Sequence, residues 1–291
     1  MENAPQSEAK AQAAHRMAIS AAEGTGVPQD WNAALDLLQR AAELGLALAQ
    51  AELAALAGDW AQSHDIVAGK TLPSTAWADY RRAVDIPRLL ATPRPRILSA
   101  SPRIATVEGF ASRELCDWLI ARARPKLEPA KVYDRDTGGA RSEAVRTNSE
   151  CHFSGEENDL LLLILRARMA NVTELPIGAM EATAILHYTV GQQFLPHFDF
   201  LDTGLPAIAR QVAERGQRVL TFLICLNDDY EGGETEFPAL GKRWKGHSGN
   251  ALYFWNVEPN GAPDKRTAHA GLPPTRGEKW LLSQWIRSRV L

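Results

Sequence analysis

From Ala182 onward the chain is written as short apolar runs cut by glycine, proline and asparagine, and this punctuation constrains the fold more than any other feature. The runs Ala184–Val190, Arg218–Leu226, Asn250–Val257 and Trp280–Ile286 are seven to nine residues long. That is the length of a strand and short for a helix. Several such segments in series predict a β-sandwich or double-sheet jelly roll, in which each strand gives one face to a shared core. The other end of the chain follows a different rule. Residues 1–60 hold 18 alanines against 10 in residues 181–291, and alanine has the highest intrinsic helix propensity.

Helices are therefore expected over Ala9–Glu23, Trp31–Leu44 and Leu48–Ala57. Asp30 can cap the second, Ala34, Leu37, Leu38 and Ala41 give it an apolar face, and Gly45 and Gly58 are natural stops. Residues 22–58 resemble a Sel-one-like repeat, a variant of the tetratricopeptide helical hairpin, through Gly24, Gly26, Val27, Asp30, Ala33-Ala34, Ala41-Ala42, Gly45 and Ala49. The resemblance implies either a helical cap on the following domain or a surface for a protein partner, because one hairpin cannot bury its apolar face alone. Pro87, Pro93, Pro95 and Pro102 break the helical pattern. The expected organisation is α+β: an α-helical region over 1–92, a proline-containing linker over 93–100 and a β-rich domain over 101–291. Within the last, a strand Arg103–Phe110 and helices Ser112–Arg124 and Leu160–Ala170 are expected.

With 32 basic and 35 acidic residues the net charge is only -3, which supplies no general attraction to nucleic acid or to an anionic membrane. No apolar run approaches the ~18 residues of a membrane span. The polar start MENAPQSEAK lacks the features of a secretion signal, and three scattered cysteines do not make a disulfide framework. A reduced, cytoplasmic protein is expected.

Chemistry concentrates at His197-Phe198-Asp199. On a strand, residues i and i+2 share a face, so both side chains can reach one ion. Such a pair arises easily by chance in a chain with seven histidines, and it needs a third ligand. His269 is the best candidate; two histidines and one carboxylate with open positions suit Fe(II) and O2 chemistry. A hairpin centred near Pro274 would set Lys279 across from His269 on one face. There a lysine could hold a substrate carboxylate. His187 points to the opposite face from Tyr188, and Cys225, Phe222, Phe254 and Trp255 read as core.

These residues resemble the prolyl 4-hydroxylase branch of the Fe(II)- and 2-oxoglutarate-dependent dioxygenases. The matching elements are Tyr188-Thr-Val-Gly191 before Pro196-His-Phe-Asp199, Arg218-Val-Leu-Thr221, Gly232-Gly-Glu-Thr235, Phe237-Pro238, Gly249-Asn-Ala-Leu252, His269-Ala-Gly271, Gly277-Glu-Lys279-Trp280 and Trp285. They span about residues 101–291. The resemblance implies a distorted double-stranded β-helix with iron on His197, Asp199 and His269. It further implies that Lys279 holds the far carboxylate of 2-oxoglutarate with Tyr188 and Thr235, that Trp285 lines the pocket, and that ascorbate serves as reductant.

The polar stretch Lys131–Asn148, with Gly138-Gly139 at its centre, is similar to the substrate-covering loop of that family. Arg218, Arg287 and Arg146 are the substrate-side candidates, with a solvated surface as the alternative for Arg146. Arg287 stands where animal and algal relatives place histidine, which argues against collagen-type peptide recognition. The implied reaction is hydroxylation of an unactivated C–H bond, with peptidyl proline as the leading substrate and a free amino acid or other small molecule as the alternative. An alternative of another class is an adaptor built on the helical repeat with a vestigial oxygenase fold. The intact metal set and Lys279 stand against it.

Overall fold

The computed structural model describes residues 4–73, 76–133, 140–141 and 145–290. Its helices are α1 (Ala4–Glu23), α2 (Trp31–Glu43), α3 (Ala47–Leu56), α4 (Trp60–Val67), α5 (Ala76–Ala83), α6 (Ile86–Leu90), α7 (Arg113–Ala123), α8 (Leu160–Thr173) and α9 (Pro206–Arg215). Its strands are β1 (Arg96–Ala100), β2 (Arg103–Val107), β3 (Glu128–Pro129), β4 (Val132–Tyr133), β5 (Ala140–Arg141), β6 (Ser149–Phe153), β7 (Thr183–Tyr188) and β8 (Phe194–His197), followed by β9 (Arg218–Cys225), β10 (Glu231–Gly232), β11 (Thr235–Phe237), β12 (Lys242–Trp244), β13 (Ala251–Trp255), β14 (His269–Gly271), β15 (Pro274–Arg276) and β16 (Lys279–Arg287). The chain divides into two units: Met1–Ala91 with Ser154–Asn171, and Thr92–Phe153 with Val172–Leu291.

In the first unit, small side chains let helices approach closely. Asp30 caps α2 by accepting from the amides of Asn32 and Ala33 at 2.8 and 3.0 Å. The buried face of α2 is Ala34, Leu35, Leu38, Ala41 and Ala42. Leu35 is thus inward, while Leu37, expected there, is half-buried. Asp59 caps α4 in the same way, accepting from Gln62. Pro87 does not break a helix but begins one: it lies in the first turn of α6, where an absent N–H costs no hydrogen bond.

Segment 154–171, expected inside the C-terminal domain, groups instead with the helices of the first unit. Residues 160–165 are buried without exception, so α8 has no solvent face along that stretch and needs apolar cover all round. Polar contacts hold its start. Glu52 of α3, fully buried, accepts from the Leu160 amide at 2.8 Å and lies 2.6 Å from His15 Nε2 of α1. Burial pushes the Glu52 carboxyl up, against the opposing pull of His15. Glu23 of α1 accepts from Asn158 and Arg166.

The second unit is a jelly roll. Its larger sheet runs β1-β2-β13-β9-β16-β7-β6-β3, and its smaller sheet runs β12-β11-β14-β8. The expected linker 93–100 is therefore half strand, since Arg96–Ala100 forms the edge of the larger sheet. Ser112 caps α7, accepting from the Leu115 amide. β16 lies between β9 and β7 and is buried over nearly its whole length, as expected of a central strand covered on both faces. A cluster of Leu186, Tyr188, Leu223, Phe237, Phe254 and Leu281 carries side chains from both sheets into one core. Gly138-Gly139, at the centre of the supposed covering loop, lies outside the described residues.

These partitions bear on truncation. A fragment starting at Leu98 loses Glu23, Glu52 and the helices with which the six buried apolar residues 160–165 group, each worth about 1.5–3 kcal/mol when buried. We expect that fragment to aggregate and bind a hydrophobic dye in light-scattering and fluorescence assays. The full chain is expected to remain monodisperse.

Candidate active site

Strand alternation builds one wall of a pocket in the jelly roll. Lys279, Leu281, Ser283 and Trp285 occupy every second position of β16 and all face it, joined by Leu186 and Tyr188 of β7 and Leu223 of β9. The smaller sheet supplies Thr235, His269, Ala270, Gly271, Phe194 and His197, and Asp199 and Arg146 complete a cleft of about 420 Å³ including its open mouth. Phe194 and His197 are three residues apart, so simple alternation would put them on opposite faces. A register irregularity between β8 and β14 brings both inward. The strand is an edge, where Pro196 costs no ladder hydrogen bond.

His197 and His269 are direct cross-strand partners, with ring centroids 4.3 Å apart. Asp199 lies just beyond the end of β8. Its Oδ1 is 3.7 Å from His197 Nε2 and its Oδ2 is 3.5 Å from His269 Nε2. The ligand atoms of the three side chains lie within 4.8 Å of one another. Each imidazole donates from Nδ1 to a carbonyl two residues earlier, His197 to Leu195 at 2.8 Å and His269 to Thr267 at 3.1 Å. Those bonds leave both Nε2 lone pairs directed at the cluster, the tautomer a metal requires. Burial, then the neighbouring His269, pushes His197 well down, so it stays neutral. Burial alone would raise Asp199, but His269, His197 and a hydrogen bond from Thr221 at 2.7 Å together hold it low. Two imidazoles presenting Nε2 and one carboxylate, converging and partly enclosed, fit a divalent ion with open positions.

The expected hairpin joining His269 and Lys279 is absent from the sheets. β14 pairs with β8 and β11, whereas Lys279 on β16 pairs with Tyr188 on β7. The two residues meet in the pocket from different sheets, which no local reading of 269–279 could show. Lys279 is only 2% exposed, and among the described residues its ammonium has no ion-pair partner. Burial lowers it to about 8. Gly233 makes room for it: the backbone there has φ +69, and a Cβ would come within 2.8 Å of the Tyr230 ring and 3.4 Å of the Lys279 stem. Burial lifts Tyr188 to about 12, so its hydroxyl keeps its proton.

Residues 183–287 match the family described as the 2OG-Fe(II) oxygenase superfamily. Two Arabidopsis thaliana proteins, probable prolyl 4-hydroxylase 3 and prolyl 4-hydroxylase 1, are 32% and 34% identical to the chain. The first alignment covers 65% of this chain and 71% of the relative, the second 68% and 73%. The chain belongs to the prolyl 4-hydroxylase family. Among solved structures, the viral collagen prolyl hydroxylase of Paramecium bursaria Chlorella virus-1, in its 2-oxoglutarate complex, superposes with a TM-score of 0.50 at 26% identity, covering 64% of this chain and 96% of that one. This prolyl 4-hydroxylase relative is thus a 2-oxoglutarate- and Fe(II)-dependent dioxygenase with a jelly-roll fold.

The three arginines expected on the substrate side fall in two places. Arg146 is buried rather than solvated: it donates to Glu150, Asn148 and the Lys131 carbonyl, and lies over the Phe194 ring. Phe194 in turn stacks on His197 at 3.5 Å. Arg218 and Arg287 both bind Glu181, and Arg287, 2% exposed, does not line the pocket. Arg218 reaches the pocket wall only through Trp285, lying 3.9 Å over its ring. Glu181, Phe194 and Asn256 were not singled out by sequence. A polar Thr221 inside the otherwise apolar run Val219–Leu226 was the one available signal of a buried polar contact.

Lys279 gives up stability for its position. Lys279→Met should make the protein more stable near pH 7 by up to roughly 3 kcal/mol, since a depressed lysine disfavours the folded charged form. The sign is fixed by proton counting: that cost is fully present below about pH 8 and fades as pH rises toward 10.5. Denaturant titrations of both proteins across that range should therefore converge.

Proposed function

We propose that this oxygenase hydroxylates prolyl residues of a peptide or protein, and that Lys279, Tyr188 and Thr235 hold the far carboxylate of its co-substrate. The carrying observation is the buried Lys279 ammonium, which shares a pocket with His197, Asp199 and His269 and has no ion-pair partner among the described residues. A divalent ion on one carboxylate and two neutral imidazoles leaves one positive charge, and Lys279 adds another. Two positive charges in one cleft match a dianion such as 2-oxoglutarate.

Bound iron with 2-oxoglutarate supplies the oxidation of an unactivated C–H bond by O2, releasing succinate and carbon dioxide. The chain's own residues do the rest. His197 and His269 offer Nε2 lone pairs and Asp199 its anionic carboxylate. The Tyr188 hydroxyl, neutral at working pH, donates toward the carboxylate that Lys279 neutralises. Leu186, Leu223 and Leu281 keep water from the space between, so charge contacts there are weakly screened. Trp285 forms the wall beside Arg218, and Arg146, which lines the cleft, would face the primary substrate while Arg218 acts through Trp285. Arg287 acts behind them, on Glu181.

Support for a prolyl substrate comes from relatives named prolyl 4-hydroxylases that align over about two thirds of both chains. The helical region is proposed to receive a protein partner, supported by its resemblance to Sel-one-like repeats. Incubation with Fe(II), 2-oxoglutarate and O2 should add one oxygen to prolyl peptides, read by mass spectrometry. Oxygen added only to free amino acids would transfer the assignment to the small-molecule alternative.

Lys279→Ala should weaken 2-oxoglutarate binding by roughly 30-fold to several thousandfold, the cost of leaving one member of a buried charge pair alone. Iron affinity should stay near that of the parent. Unchanged 2-oxoglutarate dependence would remove Lys279 from the site.

A further inference from the structure

We infer that Thr221 and Asn256 are positioning residues for the metal-binding carboxylate: a buried relay from the Asn256 amide through the Thr221 hydroxyl holds Asp199 Oδ2 and presents Oδ1 as the single ligating oxygen. This rests on the assignment of His197, Asp199 and His269 as the iron site. Thr221 Oγ1 donates to Asp199 Oδ2 at 2.7 Å, and Asn256 Nδ2 donates to Thr221 Oγ1 at 2.9 Å. Thr221 and Asn256 are both 0% exposed, and Asp199 is 5% exposed.

The direction of the relay follows from the atoms. A carboxylate can only accept, so the one hydroxyl proton of Thr221 goes to Asp199. The threonine oxygen is then free only as an acceptor, and only the amide nitrogen of Asn256 can fill it. Packing does not require either polar group. Thr221 lies between the buried Leu220 and Phe222, and valine has the same shape without the hydroxyl. Among the described residues the buried Asn256 Oδ1 has no partner, a cost the core bears while Nδ2 is held toward Thr221.

Position explains the need. His197 and His269 sit in paired strands and are fixed by their carbonyl contacts, but Asp199 lies beyond the end of β8 and has no ladder to orient it. Thr221 is at the centre of the larger sheet, opposite Phe254 on one side and Trp285 on the other. Asn256 is pinned by backbone bonds to Val219 and Asp264. The relay therefore ties a loop-borne ligand to a central strand paired on both edges. With Oδ2 held by Thr221, the carboxylate would offer Oδ1 to the ion and leave room there for co-substrate and O2.

The test uses the full chain, with anaerobic Fe(II) calorimetry and the visible spectrum of the Co(II)-loaded protein. Thr221→Val should weaken metal binding roughly 10- to 100-fold and shift the Co(II) bands, while Thr221→Ser should return to within about threefold of the parent. Asn256→Ala should fall between them. His269→Ala serves as reference. Parent-like affinity and spectrum in Thr221→Val, with metal lost in His269→Ala, would overturn the relay alone. Metal retained in His269→Ala would overturn the iron site instead. A serine variant as weak as the valine one would also overturn the relay, because the hydroxyl would then be irrelevant. Should Thr221→Val fail to fold by near-ultraviolet circular dichroism, Asn256→Ala decides, and parent-like binding there counts against the relay.

Discussion

The site depends on the register that sets His269 of β14 directly opposite His197 of β8. Side chains alternate along a strand, so a slip of one residue would send His269 out of the pocket and dissolve the cluster. Two features hold that register. β14 is paired on its other edge with β11, Thr235 against Gly271, so both sides of the short strand are committed. Gly271 also has no side chain where one would approach the Tyr188 hydroxyl to 3.2 Å, which lets the two sheets close to this separation. The irregularity in β8 then turns Phe194 inward to stack on His197, completing the wall beside the metal ligands.

Charge is distributed across this frame in two parts. The acidic part of the cleft is the Asp199 carboxylate, and its companions are the His197 and His269 imidazoles. The basic part is the Lys279 ammonium, 5.1 Å from the centroid of the Tyr188 ring, and the Arg146 guanidinium, which Glu150 pairs. Each buried charge is unfavourable alone: His269, His197 and Thr221 offset the cost at Asp199, whereas burial leaves Lys279 lowered. Arg218 and Arg287 are managed differently: Glu181 accepts from both, and burial would raise its carboxyl were the two guanidiniums not holding it low.

The first unit shows the same reliance on buried polar contacts. Glu52 joins α1, α3 and the start of α8 through His15 and the Leu160 amide, though α3 and α8 are more than a hundred residues apart in the chain. This places an apolar helix, inserted between two directly paired strands of the second unit, within the helical unit. Cooperative folding of the chain is thereby tied to segments distant in sequence.

What was legible in the sequence was local. Helix starts at Asp30 and Ser112, the strand lengths after Ala182 and the shared face of His197 and Asp199 follow from caps, run lengths and two-residue periodicity, all of which act within a few residues. His269 and Lys279 were legible as chemistry, but their meeting point was derived from the wrong pairing. Nothing in 269–279 reveals that the segment crosses from one sheet to the other. Tertiary structure decided that crossing, the burial of Arg146, the Glu181 anchor of Arg287 and the reach of Asn256 to Thr221. Each is a contact between residues on different strands or loops, set by the shape of the closed core, and the local pattern of apolar and polar residues carries no record of which distant partner will complete it.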